Sequence, residues 1–198
     1  MEEKSKVTLL KQSSLPSKNI LWFEEIAIKD VPLVGGKNAS LGEMYNNLIQ
    51  KGINIPNGFA TTSDAYFYFL KNNNLAKEIQ KTLKELDVKD LKSLQQKGKK
   101  IREFILNSKL PQDLQGDIVK AYKKLSKSYN SKSLDVAVRS SATAEDLPGA
   151  SFAGQQETFL NIRGEKSLLL AVKKCLASLF TDRAIVYRQE MGFEHLKV

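Results

Sequence analysis

Val138-Arg139-Ser140-Ser141-Ala142-Thr143-Ala144-Glu145-Asp146-Leu147-Pro148-Gly149-Ala150-Ser151-Phe152-Ala153-Gly154-Gln155-Gln156-Glu157-Thr158 joins two strand-like runs, Leu134 to Val138 and Thr158 to Ile162. The first run ends in a single arginine, and Ser, Thr, Ala and Gly dominate the connection. Small residues let a backbone approach a ligand closely, and their amides and hydroxyls can bind phosphate oxygens. Arg139 adds a permanent charge on a planar fork suited to phosphate. A long loop of this kind between strands points to a functional role, here a phosphate-binding lid.

Upstream, Leu21-Trp22-Phe23 reads as a strand leading to the turn Val34-Gly35-Gly36-Lys37. Leu41, Met44, Tyr45 and Leu48 recur at helical spacing and predict a helix, with Gly52 as its stop. Ile53 to Thr61 reads as extended chain broken by Pro56-Asn57-Gly58, and Thr62 or Ser63 caps a helix carrying Tyr66, Phe67 and Leu70. Three more helices follow: one on Leu75, Ile79, Leu83 and Leu86; one on Leu91, Leu94, Ile101, Phe104 and Ile105; one opened by Pro111 and carrying Leu114, Ile118, Ala121 and Leu125. After the second strand, Leu168, Leu169, Val172, Leu176 and Leu179 mark a helix, and Thr181 or Asp182 caps the last one. Residues 1–19 read as a polar, flexible tail. Residues 20–198 read as one partial domain, with a helical subdomain at about 75–130 between strand-rich parts.

The 198 residues and 41% hydrophobic content suit one globular core. No apolar run reaches the ~20 residues of a membrane span, and the N-terminus lacks a signal-peptide core. The single Cys175 lies in an apolar helical pattern and reads as a small core residue, so the expected compartment is the cytoplasm. The net charge of +9 invites a nucleic-acid reading, but residues 71–132, with 16 Lys/Arg against 7 Asp/Glu, carry all of the excess. There Lys77, Lys81, Lys84, Lys92 and Lys99 alternate with leucines and isoleucines, the pattern of a solvated helix face. Aromatics are not interleaved with them and no nucleic-acid-binding signature is present, which argues against that partner.

Gly35-Gly36-Lys37 before a helix could turn Lys37 and the first helical amides toward an anion, although Val31 and Asn38 stand where a Walker A loop needs glycine and Ser/Thr. On local grounds Arg139 serves equally as an ion-pair partner. Glu145 and Asp146 are either metal ligands or parts of a turn. Gly154 and Gln155 suit close approach to a nucleotide, and Thr158 could add a hydroxyl. His195 has neither a triad partner nor a second zinc ligand and reads as a surface or packing residue; Arg183 and Arg188 read as ion-pair residues.

Together these motifs resemble the phosphoenolpyruvate synthase family. Val34 to Met44 looks like its opening nucleotide-binding motif. Ile55-Pro56-Asn57-Gly58-Phe59-Ala60-Thr61-Thr62, the Arg139 to Thr158 loop and Ala177 to Arg188 follow in register. Pyruvate phosphate dikinase and the rifampicin phosphotransferases are similar in this domain, and the wording Asn38-Ala39-Ser40-Leu41-Gly42-Glu43-Met44 favours the synthase. The resemblance implies the N-terminal portion of an ATP-grasp-like α/β (α+β) domain, whose two lobes sandwich ATP with Mg2+. It implies that Lys37 and Arg139 contact ATP phosphates and that Gly154 and Thr158 help hold the nucleotide, with Gln155, Ser140 and Arg183 as secondary candidates. It also implies a full-length, homo-oligomeric enzyme converting ATP, pyruvate and water into AMP, phosphoenolpyruvate and phosphate. The phosphoryl carrier is then a histidine beyond Val198, and pyruvate binds only on a C-terminal domain. On that reading these residues hold no catalytic residue and no metal ligand, and are inactive alone. Gly149 departs from the acid that synthases often carry there. The alternatives are a rifampicin-phosphotransferase-like or dikinase-like ATP domain, or a non-catalytic nucleotide-binding module.

Overall fold

The computed structural model describes residues 18–143 and 157–197. Strand β1 (Ile20–Trp22) pairs antiparallel with β2 (Phe59–Thr61), Leu21 opposite Ala60. Between them lie α1 (Val31–Val34), opened by Pro32, and α2 (Gly36–Leu48). Then come α3 (Ser63–Asn72), α4 (Leu75–Leu83), α5 (Leu91–Asn107) and α6 (Gln112–Ser128). A second antiparallel pair, β3 (Val136–Arg139) and β4 (Thr158–Ile162), precedes α7 (Glu165–Ser178) and α8 (Asp182–Glu190). Among the described residues, two small antiparallel sheets and packed helices make an α+β architecture.

The helix starts follow local chemistry. The Thr62 hydroxyl accepts from the Ala65 amide at 3.2 Å, the Asp90 carboxylate from Ser93 at 3.0 Å, and the Thr181 hydroxyl from Ala184 at 3.3 Å. Each satisfies a first-turn donor that the helix itself leaves open. Pro111 sits one residue before α6, where its missing N–H costs nothing.

Among the described residues, two apolar clusters hold the fold together. The larger joins α3 to α8 through Phe69, Ile79, Ile101, Ile105, Ile118, Phe180 and Ile185, with Val136, Val138 and Ile162 of the second sheet packed on it. The smaller comprises Ile26, Val34, Ala39 and Ala60 under the first sheet. Lys77, Lys81, Lys84, Lys92 and Lys99 are all exposed while Ile79, Leu94 and Ile101 are buried, so the lysine excess lies on the solvent side of these helices.

Three periodicity readings change. Helix α2 buries Gly36, Ala39 and Gly42, whereas Leu41, Tyr45 and Leu48 are half-buried and Met44 is exposed. The reason is close backbone approach: a Cβ on Gly42 would stand 2.5 Å from the Ile26 carbonyl oxygen. In α3, Phe69 is buried and Phe67 exposed, and Leu91 at the start of α5 is 67% exposed. Gly52 ends a 3-10 turn, Ile49–Lys51, rather than α2 itself.

A bulge shapes the second sheet. Val136 faces Ile162 and Val138 faces Phe159, so Leu160 and Asn161 together oppose Ala137. Asn161 absorbs the extra residue in the left-handed region at φ 56°, which asparagine tolerates. Beyond the bulge, Val138 and Phe159 turn toward the core, and Arg139 lies opposite Thr158 on the outer face. The Tyr122 hydroxyl, reaching from α6, anchors the end of this sheet where β3 begins and β4 leaves. It donates to the Leu134 carbonyl at 2.6 Å, lies 3.1 Å from Ser133 Oγ and accepts from the Gly164 amide at 3.0 Å.

Candidate functional site

Gly35 turns the chain from α1 into α2 at φ 76°, ψ 160°, a conformation that is essentially glycine's alone. Its amide closes α1 on Val31, and its carbonyl accepts the first bond of α2 from Ala39. Lys37 therefore leaves from the first turn of α2, and its Nζ is buried. The partial positive charge of the helix start adds to that of the ammonium.

Packed directly against this turn is the segment that leaves β3. A Cβ on Gly35 would lie 2.3 Å from the Ser141 carbonyl oxygen and 2.4 Å from Ser141 Oγ. Ser141 Oγ also accepts from the Asn38 amide at 3.2 Å, across 103 positions of sequence. The Asn38 side chain meanwhile donates to the Val34 carbonyl at 2.9 Å, fixing the end of α1. The two motifs thus meet at their glycine and serine. One first-turn amide that the sequence offered to an anion is instead committed to Ser141.

Arg139 ends β3 and is exposed, and Thr158 opens β4 directly opposite it. Opposed residues on antiparallel strands point to the same face, so both can meet one ligand. Ser140 is half-buried between Arg139 and the Ser141 contact. Arg183 is exposed on α8 and does not line the cavity described next. Gly154 and Gln155, like Glu145, Asp146 and Gly149, lie outside the described residues.

Between the two sheets opens a cavity of about 550 Å³. Its polar edge is Asn38 and the run Arg139 to Thr143; its apolar wall includes Leu41, Phe59, Leu125, Val138, Val172 and Leu176. An apolar enclosure with a few convergent polar groups is the usual form of a small-molecule site. Burial pushes the Tyr66 hydroxyl well above the ordinary phenol range, so it faces this wall as a neutral group. Burial, with Glu157 nearby, pushes the Cys175 thiol up to about 12, so it lines the cavity protonated and without nucleophilic character. Among the described residues no three His, Cys, Asp or Glu side chains gather as a metal-binding group.

Towards the end of the chain, Arg188 is fully buried. It donates from Nη2 to the Leu179 carbonyl and from Nε to His195 Nδ1 at 3.4 Å, stacks near Phe180, and has no carboxylate partner among the described residues. Among the described residues a carbonyl and an imidazole stand where the sequence suggested a salt bridge. Burial and the neighbouring guanidinium push His195 down to about 4, so its ring is neutral and accepts this bond. Of the two roles its isolation in sequence suggested, surface or packing, this is the second.

Ser141 and Asn38 are the site residues that sequence reading missed. Nothing local marks either, because the bond joins segments a hundred residues apart.

Residues 31–198 match the family model for the pyruvate phosphate dikinase AMP/ATP-binding domain. The chain is 56% identical over 179 residues to a phosphoenolpyruvate synthase of Aquifex aeolicus, covering 90% of this chain and 21% of that protein. It is 53% identical to one from Helicobacter pylori (90% and 22%) and 48% identical to one from Escherichia coli (89% and 22%). It therefore spans about a fifth of the length of these curated relatives. Among the described residues no helix is long and apolar enough to cross a membrane.

Proposed function

This chain belongs to the pyruvate phosphate dikinase AMP/ATP-binding domain family, and from that premise we propose that it forms the ATP-binding part of a phosphoenolpyruvate synthase. The reaction of the whole enzyme would convert ATP, pyruvate and water into AMP, phosphoenolpyruvate and phosphate. Lys37 and Arg139 would bear on the ATP phosphates, with Thr158 beside Arg139 and Gly154 approaching through its backbone; Gln155, Ser140 and Arg183 are the secondary positions. Phosphoryl transfer asks the protein mainly to hold the polyphosphate among positioned positive charges, which is what these side chains can supply. The apolar cavity is suited to the base. The ATP-grasp-like arrangement, Mg2+, the phosphorylated histidine, the pyruvate site, oligomerisation and a cytoplasmic setting belong to the same proposal. The helical subdomain at about 75–130 belongs to it as well.

One observation carries the reading. The Gly35–Lys37 turn and the strand exit at Arg139 meet through Ser141, and the residues flanking that contact, Asn38 on one side and Arg139 to Thr143 on the other, line one cavity. The test is Arg139→Ala in the protein at its full encoded length. Loss of a charge-assisted phosphate contact should weaken ATP binding about 10- to 100-fold and abolish ATP-dependent formation of the phosphoenzyme. Phosphoenzyme formation at near-normal level would refute the assignment.

A further inference from the structure

The geometry points to Ser141 as a positioning residue that sets the spacing between Lys37 and Arg139, and so the fit of the site to a polyphosphate. This inference rests on the ATP-site reading above and assigns a role to a side chain that need not touch ATP.

The contact has two parts. Oγ holds the Asn38 amide at 3.2 Å, one residue beyond Lys37. The Ser141 backbone meanwhile fills the space a side chain at position 35 would need. Arg139 is two residues before Ser141, within about 7 Å of chain. The lysine and the arginine are thus each tied within two residues to one hydrogen bond, although they reside on different elements, α2 and β3. Loosening that bond lets α2 and β3 move relative to each other, and reacting groups displaced by about 1 Å can lose ~100-fold in rate.

A simple helix cap at the same place would behave differently. Its loss would lower stability and weaken all ligands of the domain alike. A spacing role acts through the phosphates, so it separates ATP from AMP.

The experiment compares Ser141→Ala with the unaltered protein at full encoded length. ATP and AMP affinities are measured by titration calorimetry and the melting temperature by scanning calorimetry. Asp90→Ala, which removes a helix cap on α5 away from the site, is the control for plain cap loss. The expected result is ATP binding weaker by about five- to tenfold, with AMP binding changed less than twofold. Asp90→Ala should lower the melting temperature without separating the two nucleotides. Equal loss for ATP and AMP, or no loss for either, overturns the role. If Ser141→Ala does not fold, Ser141→Cys, close in shape but a weak acceptor, is read by the same criterion. If Arg139→Ala also leaves ATP affinity intact, the ATP-site reading itself fails; if Arg139→Ala abolishes binding while Ser141→Ala is silent, only the spacing role does.

Discussion

Gly35→Ala should be among the most damaging single-methyl additions this chain can suffer. The position combines two independent costs. At φ 76° and ψ 160° an L-residue occupies a region that glycine alone visits freely, which costs about 1–3 kcal/mol. The new Cβ would also stand 2.3 Å from the Ser141 carbonyl oxygen and 2.5 Å from its carbonyl carbon. These are backbone atoms, so no rotamer change relieves the overlap, and overpacking of this kind adds about 1–3 kcal/mol. A loss near 4 kcal/mol lowers the melting temperature of a domain this size by about 8–16 °C. Gly116→Ala is the matched control. It lies inside α6 with nothing within 4 Å of the added carbon, and should raise stability by about 0.5–1 kcal/mol through helix propensity. Both variants are measured by thermal and urea denaturation followed by circular dichroism, with and without ATP. Gly35→Ala should also lose the stabilisation that ATP confers, because relief of the clash separates the Lys37 turn from the Arg139 strand. A Gly35→Ala melting point within 2 °C of the parent would refute the claim that these two backbones are pressed together.

Tyr122→Phe removes one hydroxyl and leaves the Leu134 carbonyl and Gly164 amide without it. It should cost about 2–3 kcal/mol and speed hydrogen exchange at Gly164; an unchanged melting point would show that the sheet is held elsewhere. His195 gives a pH signature. Its folded pKa, about 4, lies below the ordinary 6.5, so between these values the unfolded chain binds a proton that the folded chain refuses. Stability should therefore fall as pH drops from about 6.5 to 4. His195→Asn, which keeps an acceptor for Arg188 but does not titrate, should flatten that slope by about 1–2 kcal/mol, discounted for the ring's partial exposure. Parallel pH–stability curves for the two proteins would refute this.

Much of the architecture was legible in the sequence because its causes are local. Thr158 to Ile162 is a strand as read, Thr62 and Thr181 cap the helices they precede, and Leu114, Ile118, Ala121 and Leu125 form the buried stripe of α6. Caps, β-propensity and the 3.6-residue period act within one element, so one element's residues suffice to read them. The misreadings share a different cause. Met44 satisfies helical periodicity, yet the face of α2 that becomes buried is that of Ala39 and Gly42, and in α3 Tyr66 and Leu70 are buried as read while Phe69, not Phe67, completes their face. Which face of an amphipathic helix is covered depends on the shape of its neighbour, and periodicity does not encode that shape.

The same division runs through the site. The charges and small residues of Gly35-Gly36-Lys37 and Arg139-Ser140-Ser141 made two segments candidates for phosphate binding, since a cation beside a turn is a chemical property of the residues present. Only the folded chain decided that Ser141 meets Gly35 and Asn38, that a bulge at Asn161 places Arg139 opposite Thr158, and that Arg188 is served by a carbonyl and a neutral imidazole. Each of these depends on packing between segments remote in sequence. The sequence determined which groups carry charge and which turns they stand on; the tertiary structure determined their distances, because distance is set by everything packed between them.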